Sequence, residues 1–232
     1  MTKNDFLEKV KKQLIVSCQA LKDEPLHSSF IMSRMALAAK EGGAKGLRAN
    51  SIVDIQAIQD EVSLPIIGII KKDYPQNNVY ITPTLKEMRA VAATGVEVIA
   101  TDCTNRSHPG NMTLKSMLTQ IRKEYPHTLL MADTGDIEDV KKANELGFDI
   151  IGTTMHGYTP STMGMNIADN DFEYLKKVLQ VAQVPVICEG KINRPEKARR
   201  AIELGAHAVV VGGAITRPQQ ITKEYTIEIN KS

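Results

Sequence analysis

The stretch Arg200-Ala-Ile-Glu-Leu-Gly-Ala-His-Ala-Val-Val-Val-Gly-Gly213 decides the fold of this chain. It opens as the last turn of a helix, stops at Gly205, and enters a β-branched run that ends on two glycines. Glycine takes the left-handed conformation that closes a helix and satisfies its last carbonyls. The same pattern recurs at Gly43-Ala44, Gly95-Val96 and Gly147-Phe148, so that the four glycines lie 52, 52 and 58 residues apart. Between them, three further β-rich runs follow a proline: Pro65-Ile-Ile-Gly-Ile-Ile, Pro126-His-Thr-Leu-Leu-Met and Pro185-Val-Ile-Cys, spaced by 61 and 59 residues. Proline cannot continue a helix and is tolerated at the first residue of a strand. With the opening run Leu14-Ile-Val-Ser, these signals predict eight strands at 14–17, 44–48, 65–70, 96–101, 127–132, 149–153, 184–188 and 207–211.

The strands are continuous apolar runs, as parallel strands covered on both faces require. Helical patterns separate them, among them Phe30 to Lys40, Leu85 to Thr94, Asp136 to Leu146 and Arg194 to Leu204. Eight units in 232 residues leave 29 residues each, close to the ~30 of a minimal βαβ crossover. The fold class expected is therefore α/β, a (β/α)8 barrel occupying residues 1–232 as one domain. An open doubly wound sheet is the alternative, but its Gly-rich fingerprint after an early strand is not found. A first helix over Asn4 to Lys12, with Phe6, Leu7 and Val10 on one side, is expected to cap the barrel from below, and 219–230 to be the closing helix.

Composition narrows the function. The chain has 29 basic and 27 acidic residues, too even a balance for a non-specific nucleic-acid or membrane-surface binder. The longest run without a polar side chain, Ala208 to Ile215, has eight residues, far short of the ~20 that cross a bilayer. Three dispersed cysteines (Cys18, Cys103, Cys188) argue for a reducing compartment. Residues Met1 to Lys12 lack the apolar core of a secretory signal, and a cytoplasmic protein is expected. Five scattered histidines have no ligand spacing, so no metal site is expected. Aromatic residues make up only 4%, with no Trp.

In such a barrel, function collects at the carboxyl ends of the strands. The residues there are Ser17-Cys18-Gln19, Arg48-Ala49-Asn50, Lys71-Lys72-Asp73, Asp102-Cys103-Thr104, Asp133-Thr134, Thr153-Thr154, Glu189-Gly190-Lys191 and Gly212-Gly213. A lone glycine pair reads as a tight turn. In register with Glu189-Gly-Lys191 at the end of strand seven, Gly212-Gly213 reads as half of the phosphate site that barrels build from loops seven and eight. A lysine in an apolar mouth has its charged form disfavoured and can act as a base or imine-former. Lys71 and Lys72 both qualify, because adjacent strand residues face opposite ways and the preceding run is apolar on both faces. Glu189, a carboxylate emerging from an apolar run, is either ion-paired or catalytic. Arg48 and Arg217 suit bidentate binding of carboxylate or phosphate oxygens. Together with Lys71 and Lys191 they make a positive mouth on a nearly neutral protein.

As a set, these motifs resemble the N-acetylmannosamine-6-phosphate 2-epimerase family of sialic-acid breakdown. The resemblance runs from Leu14-Ile-Val-Ser-Cys-Gln-Ala-Leu21 through Gly46-Leu-Arg-Ala-Asn50, Pro65-Ile-Ile-Gly-Ile-Ile-Lys71, Ile81-Thr-Pro-Thr84, Met131-Ala-Asp133, Gly152-Thr-Thr154 with Gly157-Tyr-Thr159, and Glu189-Gly-Lys-Ile192, to Ala214-Ile-Thr-Arg-Pro218. It implies a cytoplasmic isomerase that inverts C2 of N-acetylmannosamine 6-phosphate to give N-acetylglucosamine 6-phosphate, without a cofactor or metal, and a homodimer. It implies that Lys71, not Lys72, is the acid/base group with Glu189 as its partner carboxylate. Gln19, Arg48, Asp133 and Thr154 fall on substrate positions; Gly190, Lys191, Gly212, Gly213 and Arg217 fall on phosphate positions. The chain departs from the family in Glu-Gly-Lys-Ile and Gly-Gly-Ala-Ile, where EGRI and GSAI are common, and in Thr134-Gly135 after Met-Ala-Asp. Two other functions fit the same strand ends: a Schiff-base aldolase, and a phosphosugar-binding barrel without catalysis.

Overall fold

A computed structural model describes residues 3–231. Eight parallel strands close a barrel in chain order: β1 (Leu14–Cys18), β2 (Gly46–Asn50), β3 (Ile66–Ile69), β4 (Val98–Asp102), β5 (Leu129–Asp133), β6 (Ile150–Gly152), β7 (Val186–Cys188) and β8 (Ala208–Val211). Closure runs from Leu14 beside Val209 to Val16 beside Val211. Helices α2 (Ser29–Glu41), α3 (Ile52–Glu61), α4 (Leu85–Ala92), α5 (Leu114–Glu124), α6 (Ile137–Glu145), α7 (Asp169–Val181) and α8 (Pro195–Glu203) fill the crossovers, α1 (Lys3–Val10) precedes the barrel, and α9 (Gly213–Thr216) and α10 (Pro218–Ile229) follow it. This is the expected (β/α)8 barrel. Among the described residues no helix is long and apolar enough to cross a membrane.

Most strands start one or two residues later than the sequence pattern places them. The residue just after each helix-closing glycine (Ala44, Val96, Phe148, Ala206) is buried, but it fills space beneath the helices and stands outside the ladder. The next residue makes one inter-strand bond, as in Lys45 N–H to the Leu14 carbonyl and His207 N–H to the Val186 carbonyl. Pairing begins after that. The first helix ends at Val10, two residues before the expected Lys12, which adopts φ +57°. Phe6 and Val10 are buried within the cluster that fills the barrel interior, so α1 does cap the barrel floor. The tail divides at Arg217 into the short α9 and the longer α10.

The period-2 alternation of a strand sorts the apolar runs into two cores. Ile15, Ile67, Ile69, Val98, Ala100, Leu129, Met131, Ile150, Ile187, Ala208 and Val210 point into the barrel. Val16, Leu47, Ala49, Ile66, Ile99, Leu130, Ile151, Cys188, Val209 and Val211 pack outward against the helices. Carried two residues further along each strand, the inward phase falls on Lys71, Asp102, Asp133, Glu189 and Gly212, and on Arg48 within β2.

Gly68 lies on the outward face, where a Cβ would sit 2.7 Å from Val91 Cγ1 and 3.2 Å from both Ile55 Cδ1 and Val96 Cγ2. Overpacking of that kind costs about 1–3 kcal/mol. Gly68→Ala is therefore expected to lower the melting temperature by about 5 °C for a chain of this length, measured by thermal unfolding.

Candidate active site

The carboxyl-end mouth holds a cavity of about 580 Å³, in the ~300–1,000 Å³ range of small-molecule sites. Gln19, Arg48, Lys71, Thr154, Glu189, Gly190, Lys191, Gly212, Gly213 and Arg217 all line it. Residues from the ends of β1, β2, β3, β6, β7 and β8 thus converge on one space. Asp133 does not line the cavity; it stands directly behind Arg48.

Arg48 organises the floor. Its guanidinium is 1% exposed and forms a two-pronged pair with Asp133, Nη1 to Oδ1 at 3.1 Å and Nη2 to Oδ2 at 2.5 Å. The same Nη1 reaches Glu189 Oε2 at 2.8 Å. Thr154 Oγ1 donates to Asp133 Oδ1 at 2.7 Å and lies 3.2 Å from Glu189 Oε2. One cation therefore serves two carboxylates. Burial works to lower the Arg48 pKa, but the charges of Asp133 and Glu189 outweigh it and raise the guanidinium above its ordinary value. Glu189 shifts the other way: burial pushes its pKa up, with Asp133 adding to the rise and Arg48 opposing it. Its backbone is held by a reciprocal exchange with Thr153, whose Oγ1 accepts from Glu189 N–H at 2.9 Å and donates to its carbonyl at 2.7 Å. Among the described residues, Arg48 Nε and Gln19 Oε1 are buried without a hydrogen-bond partner.

Lys71 continues the inward phase of Ile67 and Ile69 and faces the cavity. Lys72 points outward, exposed, with its Nζ 3.3 Å from Glu87 and over the Tyr74 ring. The Lys71 pKa is lowered from 10.5 to about 8, by burial first and then by the positive charges of Arg48 and Arg217, with Glu189 and Glu24 opposing the shift. A substantial neutral fraction is thus present in mildly alkaline solution.

At the far end, Gly190 adopts φ +119°, a conformation that favours glycine, and Gly212-Gly213 opens α9, where the first amides of a helix have no intrahelical acceptor. Arg217 is fixed by Glu24, which accepts from its Nε at 2.7 Å and from Leu21 N–H at 2.6 Å. Burial pushes Glu24 up, but these two donors outweigh it and hold the carboxyl below its ordinary range. Lys191 lines the cavity at this end. Its Nζ donates to the Met165 carbonyl at 2.8 Å and lies 5.2 Å from the Tyr158 ring centre, which ties the β7 loop to the β6 loop.

The cavity also contains Tyr80, Tyr158, Glu24 and Glu224, none of which stands at a strand end in the sequence. Two of six tyrosines therefore sit in the site of a protein poor in aromatics. Burial raises the pKa of both phenols. Tyr158 had a signal, the Gly157-Tyr-Thr159 motif; Glu224, eleven residues beyond Gly213 on α10, had none. With Glu24, Glu189 and Glu224 present, the mouth is closer to charge balance than its four cations suggested. Thr134 and Gly135, the departure after Asp133, do not line the cavity. Gly135 gives room to the β6 loop, since a Cβ there would lie 2.8 Å from Thr159 Cγ2. Among the described residues no group of three or more His, Cys, Asp or Glu could hold a metal ion.

Comparison with known proteins yields a consistent set. A family model described as "Putative N-acetylmannosamine-6-phosphate epimerase" matches residues 32–231. A protein of Lactiplantibacillus plantarum named "Putative N-acetylmannosamine-6-phosphate 2-epimerase" is 66% identical over 96% of this chain and 98% of its own. A like-named protein of Latilactobacillus sakei is 62% identical over 99% of both chains. The solved structure of the N-acetylmannosamine-6-phosphate 2-epimerase from Clostridium perfringens superposes with a TM-score of 0.91 at 50% identity, covering 96% of this chain and 95% of that one.

Proposed function

The chain belongs to the N-acetylmannosamine-6-phosphate 2-epimerase family, isomerases of an amino sugar phosphate, and from that premise we propose how its barrel mouth converts N-acetylmannosamine 6-phosphate to N-acetylglucosamine 6-phosphate. The observation that carries the proposal is Lys71, an amine of lowered pKa inside the cavity that also holds the Arg48–Glu189 pair. Opening the sugar ring turns C1 into an aldehyde and makes the proton on the neighbouring C2 removable. Glu189 accepts the proton of the anomeric hydroxyl and returns it to O5 as the C1–O5 bond breaks. Lys71 then removes the C2 proton, and the electron pair moves into the C1 carbonyl to give an enolate. The charge that develops on the oxygen is stabilised by the Arg48 guanidinium, which is already held in place and so needs no reorganisation during the reaction. A proton delivered to the opposite face of C2 re-forms the aldehyde with inverted configuration, and the ring closes. Only protons move, so the balance closes without an electron acceptor.

In this scheme Asp133 acts through Arg48, while Gln19 and Thr154, which both line the cavity, meet the polar groups of the sugar. The phosphate lies against the Gly190, Gly212 and Gly213 backbone, within reach of Arg217, with Lys191 closing the near side. The test is incubation with N-acetylmannosamine 6-phosphate in deuterated water. The 2-epimer should appear with deuterium at C2, and an epimer that retains only protium there would overturn the mechanism.

Because the working form of Lys71 is the neutral amine, kcat/KM should climb as pH rises through about 8, rather than near the ~10.4 of a free lysine. Glu189 raises the Lys71 pKa, so in Glu189→Gln the residual activity should have its rising limb displaced to lower pH. A pH profile of kcat/KM for both proteins checks the position and the sign.

We also read the protein as a cytoplasmic homodimer. Cys18, Cys103 and Cys188 are free and buried, in keeping with a reducing compartment. Helix α10 buries no residue and exposes Tyr225 and Ile229, which lie four residues apart on one face, an apolar pair suited to a second copy. Sedimentation should give twice the chain mass, and a monomer at micromolar concentration would overturn the dimer.

A further inference from the structure

Lys71 lies two residues beyond the end of β3, and what holds it there is visible. The β2–β3 ladder ends with Asn50 beside Ile69, so residues 70 and 71 receive no ladder bonds from β2. Two side chains replace them. Asn50 Oδ1 accepts the Lys71 N–H at 2.7 Å, and Thr82 Oγ1 accepts the Ile70 N–H at 3.2 Å. The returning segment 80–82 completes the frame: Thr82 N–H donates to the Ile70 carbonyl at 2.8 Å, Lys72 N–H donates to the Tyr80 carbonyl at 2.9 Å, and Lys71 bridges Ile81 in antiparallel fashion. That segment is anchored in turn on β4, where Thr101 Oγ1 donates to the Thr82 carbonyl at 3.0 Å and Asp102 N–H to the Ile81 carbonyl at 3.1 Å.

Both clamps sit at strained backbone. Thr82 has φ +45° and Ser51, next to Asn50, has φ +78°. Left-handed conformations are costly for residues with a Cβ, above all for a β-branched one, and they persist where the surroundings over-determine them. Neither Asn50 nor Thr82 lines the cavity, so neither is placed to touch a substrate.

We infer that Asn50 and Thr82 are positioning residues, a two-point clamp on the backbone of Ile70 and Lys71 that sets where the Lys71 amine meets C2. The inference rests on the reading of Lys71 as the proton-transfer group. Proton transfer is steeply sensitive to geometry, and a displacement of about 1 Å costs on the order of a hundredfold in rate. Binding of the phosphate and sugar, by contrast, draws on residues the clamp does not hold.

The test compares Asn50→Ala, Asn50→Asp, Thr82→Val and Thr82→Ser with the parent protein and with Lys71→Met, reading kcat, KM and pH profile. Asn50→Ala and Thr82→Val should each lose about 30–100-fold in kcat, with KM within about threefold. Thr82→Ser, which keeps the hydroxyl, should stay within about threefold of the parent. Asn50→Asp keeps the acceptor oxygen and should recover most of kcat at high pH, with its rising limb moved to more alkaline pH by the added anion. A kcat for Asn50→Ala and Thr82→Val within threefold of the parent would overturn the clamp, as would a loss carried by KM or an equal loss in Thr82→Ser and Thr82→Val. Should Asn50→Ala fail to fold, the Thr82 pair decides alone. A fully active Lys71→Met would instead remove the proton-transfer reading, whatever the clamp variants do.

Discussion

Lys71→Met should lower kcat by about 10⁴-fold, the upper range for loss of a general base, and should at the same time make the protein more stable. The two effects share one cause. In the folded protein burial lowers the lysine pKa to about 8, so the charged form favours the unfolded chain, where the ordinary value near 10.4 applies. That cost is present in full below pH 8, fades as pH rises from 8 to 10.4, and is absent above. The shift corresponds to about 3 kcal/mol at neutral pH, and partial exposure of the side chain reduces it to about 2 kcal/mol. Methionine keeps the apolar stem and removes the charge. The melting temperature at pH 7 should rise by about 5 °C, and the gain should vanish when the melts are repeated near pH 10.5. A loss of activity with falling stability would instead mark Lys71 as a structural residue. Retention of activity would remove it from the mechanism.

Arg48→Ala is expected to have the largest effect on stability. It leaves Asp133, which is fully buried, and Glu189, which is 15% exposed, without the guanidinium that both contact. Breaking a buried pair by deleting one partner costs about 3–5 kcal/mol, because the remaining charge is stranded. Here one deletion strands two. At neutral pH the melting temperature should fall by about 10 °C or more, and kcat should fall by about 10²–10³-fold with the loss of charge stabilisation at the enolate. The deficit in stability should shrink as pH is lowered and Glu189, whose pKa burial already raises, takes up a proton. Arg48→Lys restores a charge but not the planar fork that engages Asp133 with two N–H groups, so it should recover part of the stability and little of the rate. An Arg48→Ala protein that melts within 2 °C of the parent would show that the two carboxylates find other partners.

The barrel was legible because its punctuation is chemical. Gly43, Gly95, Gly147 and Gly205 adopt positive φ and close helices, and the prolines open strands, so the count of eight follows from residues whose backbone preferences are strong and local. Strand ends were legible for the same reason, which is why Arg48, Lys71, Asp133 and Glu189 could be named. The strand starts were misplaced by one or two residues because burial and ladder pairing are different requirements: Ala44 and Phe148 satisfy the first and not the second.

What the sequence by itself determined is the repeat, the closed parallel barrel and the set of polar residues delivered to its mouth. The strand pattern alone left Lys71 and Lys72 equal, since both faces of β3 are apolar; the resemblance to the family pointed to Lys71, and the division between barrel interior and helix layer supplies the physical reason. Position relative to the cavity was undecidable from the chain. Asp133 and Glu189 both carry a carboxylate in the inward phase, yet Asp133 lies behind Arg48 while Glu189 lines the cavity beside it. Glu24 and Glu224 enter from a loop and a helix whose paths no local rule specifies, and the Asn50 and Thr82 clamp joins residues 21 and 12 positions away from the ones they hold. Local propensity acts over a few residues and determines elements. The site is made of contacts between elements, and those exist only once the barrel has closed.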